Sequence, residues 1–459
     1  MDNSLLSKLA AYAKEDHLPM HMPGHKRCGE FPYSAPLPFQ LDITEIYGFD
    51  DLNHPSELFS ESQSLAASLW GSDECIYSVN GSSGAVLAAI RGTLVGKKGG
   101  KVLMSRGCHK SVYNGVELCG AVPVYLSHRV NSYGFFGEVS PDEVGEKIRE
   151  NPDTSLVIIT SPTYEGVMSD VRKIAQICHS AGVPLMVDEA HGAHLSLHGV
   201  FPEGAVASGA DIAVQSIHKT LPSLTQTALL HLSGSIVRKS EVRRQMGVFQ
   251  TTSPSYILSA SIDAAVRYLA SDKGKLRLRK WYEAVRCARE RLSHMTNLTL
   301  FQSECCDVSK LVICGAGVEL SDHLRRKYKI ELEMASLSYV IAMTGMGDNS
   351  ETLDRFTRSL LAVDGILNEK ASCPQLTLKV PRQVMIPTSA MELDSEYIPL
   401  CDASGRIAAD YVYAYPPGVP MIIPGELCDS DLISSIEALK SGNVSIKGIK
   451  SGKIKVIKE

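Results

Sequence analysis

Pro184-Leu185-Met186-Val187-Asp188-Glu189-Ala190-His191 opens the stretch that decides the fold, and Asp211-Ile212-Ala213-Val214-Gln215-Ser216-Ile217-His218-Lys219-Thr220 closes it. Each half is a short apolar run that ends in charged residues. Such runs read as buried strands that deliver Asp188 and Lys219 at their carboxyl ends. In open α/β sheets that rim is where ligands bind.

Outward from this stretch, strand and helix patterns alternate. Strands are expected at Cys75–Val79, Val102–Ser105, Val122–Leu126, Leu156–Thr160 and Thr227–Leu232. Helices are expected at Ala85–Leu94, His109–Cys119, Pro141–Glu150 and Val171–Ala181. That alternation implies βαβ units and a mainly parallel sheet. Shorter helices are expected at 3–15 and Ser60–Leu69, and Arg279–Leu292 reads as a long helix into a second layer. There, Lys310–Cys314, Leu332–Ala335 and Tyr339–Thr344 are strand candidates. Ser321–Lys327, capped by Ser321, and Leu353–Leu367 are helix candidates. The expected division is 1–45 as an N-terminal helix and active-site loop, 46–290 as a large domain and 291–459 as a small C-terminal α/β domain.

The chain has 459 residues, enough for two or three cored domains, with 44% hydrophobic and 21% charged residues. A formal charge of −5 with no basic block gives no reason to expect a nucleic-acid partner. No apolar run approaches the ~20 residues that span a bilayer, so no membrane partner is expected. Twelve cysteines without framework spacing point to reduced thiols and a cytoplasmic location.

An acid and an amine at neighbouring strand ends suit pyridoxal phosphate. Its aldehyde needs a lysine, and its ring nitrogen needs an acidic partner to stay protonated. Ser216 and His218 flank Lys219 with groups able to hold a phosphate. Upstream, Asn80-Gly81-Ser82-Ser83-Gly84 separates a strand from a helix. That is a recipe for an anion site, although serines that merely cap the helix explain it too. His109 follows the Val102 strand, where a flat imidazole can stack on a pyridine ring or serve structure alone. Asp188-Glu189-Ala190-His191 also spells a helicase-type box, but no G-x-x-x-x-G-K-[ST] loop precedes it. Gly92–Lys98 has the wrong glycine spacing and no hydroxyl after the lysine. His191, His194 and His198 invite a metal reading, but Gly192, Gly199 and Pro202 make the segment a loop, so no metal is expected.

Two further loops are candidate walls of a site. Met20–Arg27 carries His25 and Lys26, followed later by Asp50-Asp51. Ala414–Glu426 holds four prolines and two glycines and ends in a carboxylate.

Together, Met22-Pro23-Gly24-His25-Lys26, Asn80–Gly84, Asp188-Glu189-Ala190-His191-Gly192-Ala193-His194, Ser216–Thr220 and Tyr415-Pro416-Pro417-Gly418 through Glu426 resemble, in order, the signatures of the bacterial ornithine/lysine/arginine decarboxylases. The resemblance covers nearly the whole chain. It implies an aspartate-aminotransferase-like (fold type I) large domain, a pyridoxal 5'-phosphate cofactor and decarboxylation of a basic amino acid, arginine favoured, for polyamine biosynthesis. Lysine and ornithine stay open as substrates, as does a different fold-type-I enzyme such as an aminotransferase. It implies Lys219, Asp188 and His109 as the catalytic set. Ser82, Ser83, Gly84, His109, Asp188, His191, Ser216, His218, Lys219 and Thr252 are the implied cofactor contacts. Thr251–Tyr256 is similar to the segment that reaches a neighbouring subunit, implying a homodimer with shared sites. For the substrate itself, His25, Lys26, Asp50, Asp51 and Glu426 are the candidates. Large members carry a response-regulator-like domain before the Met-Pro-Gly-His-Lys motif. Here that motif stands near the start, so the short form is expected.

Overall fold

The computed structural model describes residues 4–14, 38–97, 99–127, 130–131, 133–367, 381–414, 418–441 and 444–458. His25, Lys26 and Tyr415-Pro416-Pro417 lie outside them.

Strands β1 (Glu74–Ser78), β2 (Lys101–Ser105), β3 (Val122–Leu126), β4 (Thr154–Thr160), β5 (Leu185–Asp188), β6 (Ile212–Gln215) and β7 (Ala228–Leu232) form a seven-stranded sheet in the order β1-β7-β6-β5-β4-β2-β3. β5, β6 and β7 are buried along their whole length, which is why they read as unbroken apolar runs. β2 pairs in parallel with β3 and β4. β7 runs antiparallel to both of its neighbours. Between β6 and β7 there is only a four-residue helix, too little for the crossover that a parallel pair needs.

The helices are α1 (Leu5–Tyr12), α2 (Leu58–Trp70), α3 (Gly81–Thr93), α4 (Lys110–Leu118), α5 (Pro141–Glu150), α6 (Val171–Ser180), the short α7 (Ile217–Thr220), α8 (Lys239–Phe249), α9 (Tyr256–Ala270) and α10 (Asp272–Leu292). α5 shows how local sequence sets them. Ser140 accepts from the Glu143 N–H, Pro141 takes the first turn, Asp142 and Glu143 face the positive end, and Lys147 and Arg149 the negative one.

The chain divides into two compact units. One comprises residues 1–95 and 187–279. In it, the Leu5 N–H donates to Asp263, whose other oxygen accepts from Ser62 and Arg267, anchoring α1 on α9. α3 lies so close to α8 that a Cβ at Gly92 would stand 2.6 Å from Val242 Cα.

The other unit comprises residues 96–186 and 280–459. β8 (Thr299–Leu300), β9 (Lys310–Cys314), β10 (Met334–Ala335) and β11 (Tyr339–Met343) form an antiparallel sheet in the order β10-β11-β9-β8, with α11 (Gly317–Tyr328) and α12 (Ser350–Asp364). Leu311, Ile313, Val340, Leu320, Leu324 and Leu360 share one buried cluster. Each such side chain contributes roughly 1.5–3 kcal/mol by leaving water. Ser321 does not cap α11 as expected. The helix begins a turn earlier at Gly317, where a Cβ would stand 2.3 Å from the Ser336 and Tyr339 carbonyls. α13 (Pro387–Met391), β12 (Ser395–Pro399), β13 (Val412–Ala414), β14 (Pro420–Ile422), α14 (Ser430–Ser441), β15 (Ile446–Lys447) and β16 (Lys453–Ile457) complete it. β16 buries Ile454 and Val456.

Candidate active site

Strand register brings the expected residues of the first unit to one rim. β7 pairs Ala228 with Ser78 and Leu229 with Gln215, so the carboxyl ends of β1 and β6 flank the start of β7 at one end of the sheet. The Glu189 N–H donates to the Val214 carbonyl at 2.9 Å, and the Ser216 N–H to the Ala190 carbonyl at 3.3 Å. Asn80–Gly84, Ser216–Lys219 and Asp188–His191 therefore leave the sheet at the same edge.

The turn after β1 needs its glycine. Gly81 has φ of +69°, and its N–H donates to the Gln226 carbonyl at 2.9 Å. Gln226 answers with its side-chain amide on the Val79 carbonyl at 2.7 Å. The first helical bond of α3 runs from the Gly84 N–H to the Asn80 carbonyl. Asn80 makes no side-chain cap bond, and its side-chain amide donates to the Phe249 carbonyl at 2.8 Å. Ser82 and Ser83 lie within the first turn rather than capping it, and their backbone N–H groups have no acceptor among the described residues. That end of the helix is left as an anion site.

Two hydroxyls beside Lys219 point the same way. Ser216 is fully buried, and neither its Oγ nor Thr220 Oγ1 has a hydrogen-bond partner among the described residues. Buried hydroxyls are nearly always satisfied, so an orphaned one at a strand end fits a ligand oxygen. His218 lies alongside. Its Nδ1 stands 2.8 Å from the Thr227 carbonyl and so carries the proton. Burial lowers the His218 pKa, the Thr227 carbonyl offsets part of this, and the Lys219 charge lowers it further. In its neutral form Nε2 is an acceptor.

Asp188 is 3% exposed, and Oδ1 accepts from the Ala190 N–H at 3.2 Å. Burial raises its pKa, while the Lys219 charge and the Ala190 N–H pull it down. Lys219 Nζ lies 2.8 Å from His191 Nε2. Behind this rim runs a hydrogen-bonded chain invisible in the sequence, buried except at its Ser72 end. Ser72 Oγ meets His231 Nδ1 at 3.0 Å, His231 Nε2 meets Gln215 Oε1 at 3.2 Å, and Gln215 Nε2 donates to Glu189 Oε2 at 2.7 Å. The Ala205 N–H takes the other Glu189 oxygen at 2.7 Å.

Asp50, Asp51 and Thr252 belong to the same unit. Asp50 accepts from the N–H groups of Asp51, Ser56, Glu57 and Phe59 and from the Ser56 hydroxyl, so both oxygens serve the start of α2. Asp51 spends one oxygen on the Asn53 N–H. Thr252 is exposed in the loop between α8 and α9.

His109, Arg106 and Glu426 belong to the other unit. His109 caps α4, with Nδ1 accepting from the Ser111 N–H at 3.3 Å and 2.9 Å from Ser111 Oγ. Glu426 was a candidate for a substrate cation. It is fully buried, and its Oε2 takes the Arg106 guanidinium at 3.0 Å and the Ile423 N–H at 2.9 Å. Nothing in the apolar run before it announced Arg106 as the partner. The one signal was a charged residue at the end of a buried strand.

Two family models match end to end: Orn/Lys/Arg decarboxylase, major domain, over residues 3–371, and Orn/Lys/Arg decarboxylase, C-terminal domain, over residues 371–451. The chain belongs to the Orn/Lys/Arg decarboxylase family. An arginine decarboxylase of Bacillus subtilis is 31% identical over 100% of this chain and 98% of its own length. One of Halalkalibacterium halodurans is 30% identical over 97% and 94%. Among solved structures, the constitutive lysine decarboxylase of Escherichia coli aligns at TM-score 0.81 with 20% identity, covering 99% of this chain and 82% of that one. An alanine–glyoxylate aminotransferase of Nostoc sp. aligns at 0.55 with 16% identity, covering 68% of this chain and 88% of its own. The decarboxylase family shares the fold-type-I scaffold and works with pyridoxal phosphate. The uncapped start of α3, the orphaned Ser216 hydroxyl and the Asp188–Lys219 pair fit that group.

Proposed function

We propose that this decarboxylase converts arginine to agmatine and CO2, the first step toward a polyamine. The observation that carries the reading is the rim of the first unit, where Lys219, His191 and Asp188 converge beside an uncapped helix start and an orphaned serine hydroxyl. Full-length likeness to arginine decarboxylases favours arginine over lysine and ornithine.

Bound there, the protonated pyridine ring supplies a sink for the electron pair left at the substrate's α-carbon when CO2 departs. Asp188 would hold the ring nitrogen's proton through a charge-assisted bond. Lys219 would carry the aldehyde. The Ser82 and Ser83 N–H groups, Gly84, Ser216 and His218 would hold the phosphate. His109 would stack on the ring, a role that rests on the family resemblance alone. His191 Nε2, hydrogen-bonded to Lys219 Nζ, is placed to take a proton from that ammonium and free it as a nucleophile. The same pair returns a proton to the α-carbon after CO2 leaves.

For the distal cation we infer Asp51, because Asp50 spends both oxygens on α2 and Glu426 is fully buried in its ion pair with Arg106, whereas Asp51 is partly exposed. His25 and Lys26 are kept for the substrate on the resemblance. A homodimer, with Thr252 reaching the neighbouring site, and a cytoplasmic location follow from the family pattern. None of the ten described cysteines is in a disulfide, and no described helix is long and apolar enough to cross a membrane. Measuring CO2 release from arginine, lysine and ornithine side by side tests the substrate. The fastest turnover belongs to arginine, and preference for another of the three overturns that choice.

A further inference from the structure

The elements that fix the backbone of His109 meet at a buried arginine. Arg106 follows β2 directly and is 2% exposed. Its guanidinium donates to the Pro420 carbonyl at 2.8 Å, the Met421 carbonyl at 3.3 Å and Glu426 Oε2 at 3.0 Å. It also donates to the Tyr113 hydroxyl at 2.8 Å, and that hydroxyl donates back to the Arg106 carbonyl at 2.6 Å. Tyr113 stands one turn into α4, so the bond closes a ring around residues 106–113. The Lys110 N–H reaches the Gly418 carbonyl at 3.3 Å, fastening the first turn of α4 to the same proline-rich loop. His109 thus sits between two attachments to that loop, one through Arg106 and one through Lys110. The Tyr113 and Tyr125 rings lie 5.5 and 5.6 Å from the guanidinium and exclude water from it. A planar fork that serves two carbonyls, a hydroxyl and a carboxylate has a geometry a lysine cannot reproduce.

We propose that Arg106 is a positioning residue for the decarboxylation, setting the height and tilt of the His109 imidazole through the Tyr113 ring and the 418–426 loop. This rests on the reading that His109 stacks on the cofactor. A clamp with no role beyond folding would protect melting temperature alone. A positioning residue also governs the environment of the cofactor and the chemical step.

The test uses the cofactor-loaded enzyme and four variants: Arg106→Lys, Tyr113→Phe, His109→Ala and the Arg106→Lys/His109→Ala pair. Arg106→Lys is expected to lower kcat on the order of ten- to a hundredfold, the range for a misplaced group. KM stays within about twofold of wild type, the pattern for an interaction that matters mainly in the transition state. The visible circular dichroism of the bound cofactor changes in the same sense as in His109→Ala. Tyr113→Phe, which keeps the charge pair and the packing, moves both readouts the same way by less, and stands in should Arg106→Lys fail to fold. The double variant is no slower than His109→Ala alone, because residues that act through one another do not add. Wild-type kcat and dichroism in folded Arg106→Lys or Tyr113→Phe overturn the proposal, and so do effects that multiply in the double variant. If His109→Ala itself leaves kcat and dichroism unchanged, the stacking role fails and the proposal with it, a result distinct from the other two.

Discussion

Lys219 Nζ and His191 Nε2 stand 2.8 Å apart at the end of β6 and the start of the loop after β5. An amine and an imidazole so close share a proton, and the imidazole is the weaker base of the two. On the proposed assignment, the lysine must lose that proton before it can bond to the cofactor, and His191 is an acceptor within reach. Lys219→Ala is expected to abolish the visible absorption band of the lysine-linked cofactor, and a band that persists shows that another lysine carries it. His191→Ala keeps the band but slows turnover about a hundredfold, the usual contribution of a placed proton acceptor. Absorption spectra and steady-state rates on the purified variants check both.

Asp188 is burdened in a different way. Burial raises its pKa and the Lys219 charge lowers it. A cationic ring nitrogen brought against it adds a second charge of the same helpful sign and holds the carboxylate ionised. Asp188→Ala is expected to keep part of its cofactor through the phosphate contacts and lose turnover by orders of magnitude. Cofactor content by absorbance and CO2 release measure the two effects separately, and near-normal turnover would dismiss the electron-sink role.

Much of this rim was legible because its residues sit at the ends of apolar runs. Val122–Leu126, Pro141–Glu150 and Lys310–Cys314 fall where their patterns place them. Periodicity and end residues act locally, so they survive the removal of context. α8 and α9 escaped notice because Lys239–Phe249 is mostly polar and Tyr256–Ala270 is nearly apolar all round, so neither shows a clean stripe. The antiparallel course of β7 and the start of α11 at Gly317 depend on contacts distant in sequence, which no window of residues contains. For the same reason Arg106, Gln226 and Thr227 gave little sign of what they hold.

Asp50 and Asp51, adjacent in sequence, do different work, and their variants should separate. Burial works to raise the Asp50 pKa, but the N–H groups of Phe59, Glu57, Asp51 and Ser56 outweigh it and hold the carboxyl below its usual value. The stability it contributes is present above the ordinary carboxylate pKa and is lost as pH falls through the depressed one. Asp50→Ala is expected to cost about 1–2 kcal/mol as a lost helix cap, lowering the melting temperature. Asp51→Asn is expected to leave the melting temperature alone and raise KM for arginine about tenfold or more, the effect of removing a carboxylate from a guanidinium. A melting scan and a KM measurement on each variant separate them, and an unchanged KM in Asp51→Asn removes that residue from the substrate site.

His231 carries an acid sensitivity into the core of the first unit. It is fully buried between Ser72 and Gln215, and burial drives its pKa down to about 3. Its Nε2–H donates to Gln215, whose amide in turn donates to Glu189, so Nδ1 is left to accept from Ser72. Protonating Nδ1 would place a charged ring in a fully buried position, where burial penalises the charged form. The unfolded chain takes up a proton near pH 6.5 and the folded one does not until about 3, so between those values the unfolded state binds more protons and stability rises with pH. The contribution is complete above 6.5 and falls by about 1.4 kcal/mol per unit as pH drops below it. Over the whole window that amounts to about 3–5 kcal/mol, a large share of the 5–15 kcal/mol typical of a folded domain. His231→Gln removes the titration and keeps a donor toward Gln215. Urea midpoints from pH 7.5 to 4.5 should therefore fall more steeply for the wild type than for the variant, and parallel slopes would show that the proton finds His231 without unfolding the chain.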